Sequence, residues 1–281
     1  MLKQRLITGI SLALFLVASM FYLPLVGTAI VFGLFAVGGA WEWARLSGYS
    51  NRLVRGGYAF TTLCAGIVVY RDIVEGDAAI TLTILQVAAL WWVYVVVVEL
   101  AMYQDREKGF FAGNLMKLVA GLIIIVPGWS AGIYLHSLAP QMPAAFLYLI
   151  ALVGLSDTGA YFAGRTFGRR KLAPRVSPGK TIEGLFGGML VCAILAILSS
   201  AYGWEFSGKA VVVFVLISLI AAAFGVAGDL YESRIKRLSG FKDSGSLLPG
   251  HGGFMDRTDA YHAVAPTFVV MLLLFRDLFG L

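Results

Sequence analysis

Residues Lys209 to Asp259 read KAVVVFVLISLIAAAFGVAGDLYESRIKRLSGFKDSGSLLPGHGGFMDRTD. The first part is apolar and long enough to cross a hydrocarbon core of about 30 Å as one helix. From Asp229 the composition inverts to cations, carboxylates, a histidine and glycines, and after Asp259 the chain returns at once to an apolar run. Polar groups set between two membrane-length runs are costly unless they bind something, so this island reads as a site and its flanks as scaffold. A second island, DTGAYFAGRTFGRRKLAPRVSPGKTIEG from Asp157 to Gly184, repeats the pattern upstream.

The rest of the chain agrees. Of 281 residues, 59% are hydrophobic and 14% charged, with a mean hydropathy of +0.83, which excludes an ordinary soluble domain. The expected fold class is all-α, a polytopic integral membrane protein of about nine spans: 6–23, 25–44, 57–71, 79–102, 113–135, 143–164, 183–203, 209–231 and 260–279. Residues 1–281 then form a single transmembrane domain, with the catalytic region mainly at 157–184 and 225–260. Lys3 and Arg5 precede an apolar run as in a signal peptide, but a second apolar run follows Pro24, so the first is read as a retained helix.

Nine spans place all the lysines and arginines on one side except Arg71, Lys209 and Arg276. The positive-inside rule then puts the N-terminus and both islands in the cytoplasm. The short loops suggest a bacterial plasma (inner) membrane. The net charge of +6 is accounted for by these loops and calls for no nucleic acid partner. Cys64 and Cys192 sit in apolar runs without paired spacing, which argues against a disulfide or thiolate metal site. The loop at 103–112 reads as a solvated connector.

Helical spacing puts Asp229, Glu232, Ser233 and Lys236 on one face, with Arg237 beside it. An intrahelical salt bridge would explain these charges but not the glycine-rich segment that follows. There Gly250, Gly252 and Gly253 surround His251, and such glycines let backbone amides approach an anion. Asp256 and Asp259 stand one turn apart at the start of the last run, where carboxylates also serve as caps. Asp229 and Asp256 offer hard oxygens without a Cys/His set, which suits Mg²⁺, with room for a second cation.

In the upstream island, Asp157, Arg165, Ser177, Lys180, Thr181 and Glu183 form a cation- and hydroxyl-rich group before a helix N-terminus, an anion-binding arrangement. Gly179-Lys180-Thr181 is not a P-loop, because position 174 is proline where that motif needs glycine. Ordinary positive-inside charge would account for the cations but not for the Ser, Thr and Gly set among them. Neither Ser/His/Asp nor Cys/His spacing is present, so covalent catalysis has no support.

The run Ser233-x-Ile-Lys236-Arg237-(x4)-Lys242-Asp243-x-Gly245-(x2)-Leu248-Pro249-x-His251-Gly252-Gly253-Phe254-x-Asp256-Arg257-Thr258-Asp259 resembles the signature of phosphatidate cytidylyltransferases, the CDP-diacylglycerol synthases. The Asp157–Gly184 island resembles that family's second conserved region. The resemblance implies CTP and phosphatidate as substrates, CDP-diacylglycerol and pyrophosphate as products, a membrane-lipid partner and a homodimer. It also implies Asp229 and Asp256 as metal ligands and nucleotide binding near Ser177, Lys180 and Thr181; from their chemistry, Lys236, Arg237 and Lys242 are expected to receive the lipid phosphate, with the glycine-embedded His251 and Arg257 as further catalytic candidates. Two rivals use the same charges: a CTP-dependent polyprenol or dolichol-type lipid kinase, and a non-enzymatic anion or lipid transporter.

Overall fold

The computed structural model describes residues 14–100, 113–140, 142, 144–247 and 252–281. Residues 14–22 are helical (α1), and the chain breaks at Pro24, which caps α2 (Leu25–Leu46) with extended dihedrals. There follow α3 (Arg52–Glu75), α4 (Ala79–Tyr94, continued as a π-helical turn Val95–Leu100), α5 (Asn114–Ser137) and α6 (Ala145–Phe167). A hairpin of β1 (Lys171–Ala173) and β2 (Ser177–Thr181) leads to α7 (Ile182–Leu198), α8 (Lys209–Leu238), α9 (Met255–Leu274) and the short α10 (Arg276–Phe279). Among the described residues, seven helices are long and apolar enough to cross a membrane: α2, α3, α4 with its π turn, α5, α6, α7 with Ser199–Gly203, and α8.

Three runs differ from the sequence reading; that expected at 260–279 is α9, which begins at Met255 among its polar residues and ends at Leu274, where Phe275 leaves helical dihedrals. The run expected at 57–71 is a helix of 24 residues, because its ends are polar but still helical. Asn51 caps the start by accepting from the Leu53 amide at 2.8 Å, and Arg55 lays its guanidinium 4.2 Å over the Trp41 ring, keeping its stem on apolar surface. The run expected to end at 231 continues to Leu238, two further turns that carry Glu232, Arg234 and Lys236. The apolar pattern ends before the helix does, because backbone hydrogen bonding continues through the polar residues.

The interior is built on α5 and α9. Every residue from Ile124 to Ile133 and from His262 to Val269 is buried, the mark of a helix covered on all sides. α9 packs against α4, α5, α6 and α8. Buried indoles find acceptors across these contacts: Trp92 Nε1 donates to the His262 carbonyl at 3.0 Å and Trp43 Nε1 to the Lys117 carbonyl at 2.7 Å. Arg234 on α8 pairs with Glu99 at the end of α4, both almost fully buried.

α6 and α7 meet backbone to backbone. A Cβ on Gly188 would lie 2.8 Å from the Ser156 carbonyl oxygen, and one on Gly184 2.8 Å from that of Ala160. Small residues at this seam let the helices approach closely. The approach fixes where the hairpin between them projects, and the hairpin carries Lys180.

Candidate active site

β1 and β2 pair antiparallel, with Lys171 opposite Thr181 and Ala173 opposite Ser177. Thr181 Oγ1 accepts from the Gly184 amide at 3.1 Å, capping α7. Glu183 accepts from the Arg169 and Arg170 amides at 3.0 and 3.1 Å and from Arg170 Nε at 3.2 Å, clamping the strand to the helix. Thr181 and Glu183 thus build the turn that presents Lys180. Arg165 Nη1 donates to the Tyr161 hydroxyl at 2.9 Å.

Lys180 Nζ lies 2.5 Å from Asp229 Oδ2, although 49 residues separate them in sequence. This ion pair joins the two polar islands. Ser233 Oγ donates to the other oxygen of Asp229 at 3.2 Å, one helical turn on. Asp157 sits within the electrostatic reach of both Lys180 and Asp229, and Asp259 within that of Glu232 and Asp229.

The second cluster is one turn along α8. Lys236 Nζ bridges Glu232 Oε2 at 2.9 Å and Asp256 Oδ1 at 2.8 Å. Asp256 also accepts from the Ser244 amide through both oxygens, at 3.0 and 2.9 Å, and from the Gly253 amide at 2.9 Å. Burial disfavours its charged form, but Lys236 and these amides outweigh burial and hold the carboxyl below the usual aspartate range. Gly252 has a φ of +85°, and a Cβ there would lie 2.8 Å from Asp256 Oδ2, so glycine serves both the turn and the approach. The amide of Gly253, read from sequence as an anion donor, is committed to Asp256. Arg237 and Lys242 are exposed. His251 lies outside the described residues.

Two cavities converge on Asp157. One of about 430 Å³ is lined by Asp157, Tyr161, Arg165, Gly179, Lys180 and Thr181. The other, of about 330 Å³, is lined mainly by apolar and aromatic side chains, among them Phe32, Phe35, Trp129 and Tyr261, with Arg257 and Asp157 as its charged members. Both chambers have largely apolar walls, but the first gathers two cations and the second aromatic rings; sharing one carboxylate, they suit a reaction between a charged soluble reactant and a lipid.

Among the described residues no three His, Cys, Asp or Glu side chains are preassembled around a metal. Carboxylate oxygens are the donors a hard cation takes, and at Asp229 and Asp256 such an ion would compete with the ammonium groups of Lys180 and Lys236, which stand at ion-pair distance. Mg²⁺ commonly takes only one or two protein carboxylates and completes its shell with water and substrate phosphate.

Sequence reasoning passed over Glu42 and Glu99, which are buried, and Arg45, which holds the carbonyls of Asp243 and Ser244. The signal was present for the two glutamates: each is a carboxylate inside an otherwise apolar run.

The chain is 37% identical to a phosphatidate cytidylyltransferase of Pseudomonas aeruginosa over 272 residues, covering 97% of each. It is 33% identical to one of Haemophilus influenzae, over 95% of this chain and 97% of that protein. A Staphylococcus aureus protein of the same name is 45% identical over 127 residues, about half of either chain. Residues 3–275 match the profile of the Cytidylyltransferase family, and the chain belongs to that family.

Proposed function

We propose that this chain transfers CMP from CTP to phosphatidate, giving CDP-diacylglycerol and pyrophosphate. The carrying observation is the Lys180–Asp229 pair, which ties a basic, cavity-lining hairpin to the acidic end of α8. The relatives bear the name of this activity over nearly their full length. The protein works as one membrane domain, with its chemistry mainly in 157–184 and 225–260. Nine spans, a cytoplasmic N-terminus, a site facing the cytoplasm of a bacterial inner membrane, and a homodimer complete the proposal; the distribution of lysine and arginine supports the orientation.

A phosphate monoester, with a second pKa near ~6, is largely dianionic at neutral pH. The lipid phosphate can therefore attack the α-phosphorus of CTP without a protein base, in line with departing pyrophosphate. What the protein must supply is charge and position. Lys180 and Arg165 hold the nucleotide phosphates in the cavity they line. Arg237, Lys242 and Arg257 draw in the lipid phosphate, and the aromatic-lined cavity behind Arg257 takes part of an acyl chain. Lys236, committed to Glu232 and Asp256, keeps the second carboxylate in place. Mg²⁺, held by Asp229 and Asp256, would neutralise phosphate charge when bound, with a second cation accommodated beside it.

Purified protein incubated with CTP, Mg²⁺ and phosphatidate should release pyrophosphate and carry the α-label of CTP into lipid. Appearance of the γ-label in lipid instead would assign the chain to the lipid kinases. Substrate movement across sealed vesicles without CTP turnover would assign it to transport.

A further inference from the structure

Glu42 lies near the end of α2 and is 1% exposed. Its Oε2 accepts from Ser244 Oγ at 2.9 Å and from the Met255 amide at 3.1 Å. Ser244 passes this hold onward: its amide donates to both oxygens of Asp256, and its Oγ accepts from the Asp256 amide at 3.3 Å. One turn along α2, Arg45 Nη2 donates to the carbonyls of Asp243 at 3.2 Å and Ser244 at 2.7 Å, with its guanidinium 4.5 Å over the Phe241 ring. A Cβ on Gly245 would run into the Glu42 carboxyl, and one on Gly253 into both Ser244 Oγ and that carboxyl, so these two signature glycines leave room for the Glu42–Ser244 contact.

Glu42 and Arg45 line neither cavity that converges on Asp157. An apolar side chain would fill the place of Glu42 at lower desolvation cost, since its Oε1 is buried without a hydrogen-bond partner. The cost is explained by what Oε2 holds. On the reading that Asp256 serves nucleotidyl transfer, we infer that Glu42 and Arg45 are positioning residues of that reaction: they clasp the turn at 241–245 and the start of α9, and so fix Asp256 against Lys236. Both donors converge on one oxygen, so the clasp needs an acceptor at that point and not a charge.

The test compares Glu42→Ala, Glu42→Gln, Ser244→Ala and the double variant Glu42→Ala/Ser244→Ala in detergent, with CTP, Mg²⁺ and phosphatidate. Glu42→Ala should lower kcat by about thirtyfold with KM for CTP within about threefold, and Glu42→Gln should recover most of the loss. The double variant should be little worse than Glu42→Ala, because both act through one contact. Hydrogen exchange at the Met255 amide should rise by about tenfold in Glu42→Ala and far less in Glu42→Gln. If Glu42→Ala does not insert, Ser244→Ala carries the same kcat test. Wild-type kcat in Glu42→Ala or Ser244→Ala overturns the clasp, as does a Glu42→Gln protein as inactive as Glu42→Ala with wild-type exchange. A wild-type protein that releases no pyrophosphate removes the proposed function, while the exchange comparison still reads the clasp.

Discussion

Lys236→Met tests whether the second cluster is a buried network or a surface ion pair. Lys236, Glu232 and Asp256 have side-chain exposures of 11%, 2% and 9%. An exposed pair four residues apart on a helix contributes only about 0.3–0.5 kcal/mol. Removing one partner of a buried pair costs about 3–5 kcal/mol, because a charge is left uncompensated. Methionine keeps the length of the stem but strips the ammonium from two carboxylates at once. Asp256 retains the amides of Ser244 and Gly253, so the lower end, about 3 kcal/mol, is expected. That is roughly a hundredfold in the folded-to-unfolded ratio. Equilibrium unfolding in mixed micelles measures it without reference to activity. Lys236→Met/Asp256→Asn should recover part of the loss, giving a coupling energy of about 1–2 kcal/mol. A single-variant cost under about 1 kcal/mol, or strictly additive costs in the double variant, refutes the buried-network account.

Asp229→Asn and Asp256→Asn should each reduce pyrophosphate release by at least about a hundredfold in protein that still inserts; near-normal turnover in either rules out its metal role. Lys180→Met should raise KM for CTP by about tenfold and leave KM for phosphatidate nearly unchanged, because Lys180 lines only the cavity it shares with Arg165; equal effects on both substrates contradict the division of the two cavities. The depressed carboxyl of Asp256 gives its full stabilisation above the ordinary aspartate range and loses it as pH falls through its lower folded value. The stability difference between wild type and Asp256→Asn should therefore be flat from neutral pH to about pH 5 and shrink only below about pH 4. A difference already shrinking at pH 6 would show that another group controls the loop.

How far the site could be read in advance follows from where its residues sit. Asp229, Lys180, Lys236 and Asp256 stood out because each belongs to a polar island, and burying such groups beside lipid demands a partner. Spacing on one helix also put Glu232 and Lys236 on one face, and the structure brings them to 2.9 Å. Which island partner meets which was not legible, because the Lys180–Asp229 contact depends on the close α6–α7 seam, and Gly184 and Gly188 carry no sign of their neighbours in sequence. The small hairpin of β1 and β2 was missed for a related reason: its strands are 3 and 5 residues long and lack an alternating apolar face.

Glu42 shows the opposite failure. It stands in a run, WEWARL, that hydropathy assigns to the end of a span, and the groups that account for it, the Ser244 hydroxyl and the Met255 amide, are some 200 positions away. A carboxylate inside a span points to a function by the same physical rule that singled out Asp229. The difference is that Asp229 opens a polar island, whereas Glu42, with Arg45 near it in sequence, meets its hydrogen-bond donors only in space. The glycines at 245 and 253 carry the matching half of that information: their missing side chains are the volume into which the Glu42 carboxyl fits. A glycine in a binding loop can thus record an approaching protein side chain as readily as an approaching phosphate, and at Gly253 the structure favours the first, because its amide is bonded to Asp256 and its open face is filled by Ser244 and Glu42.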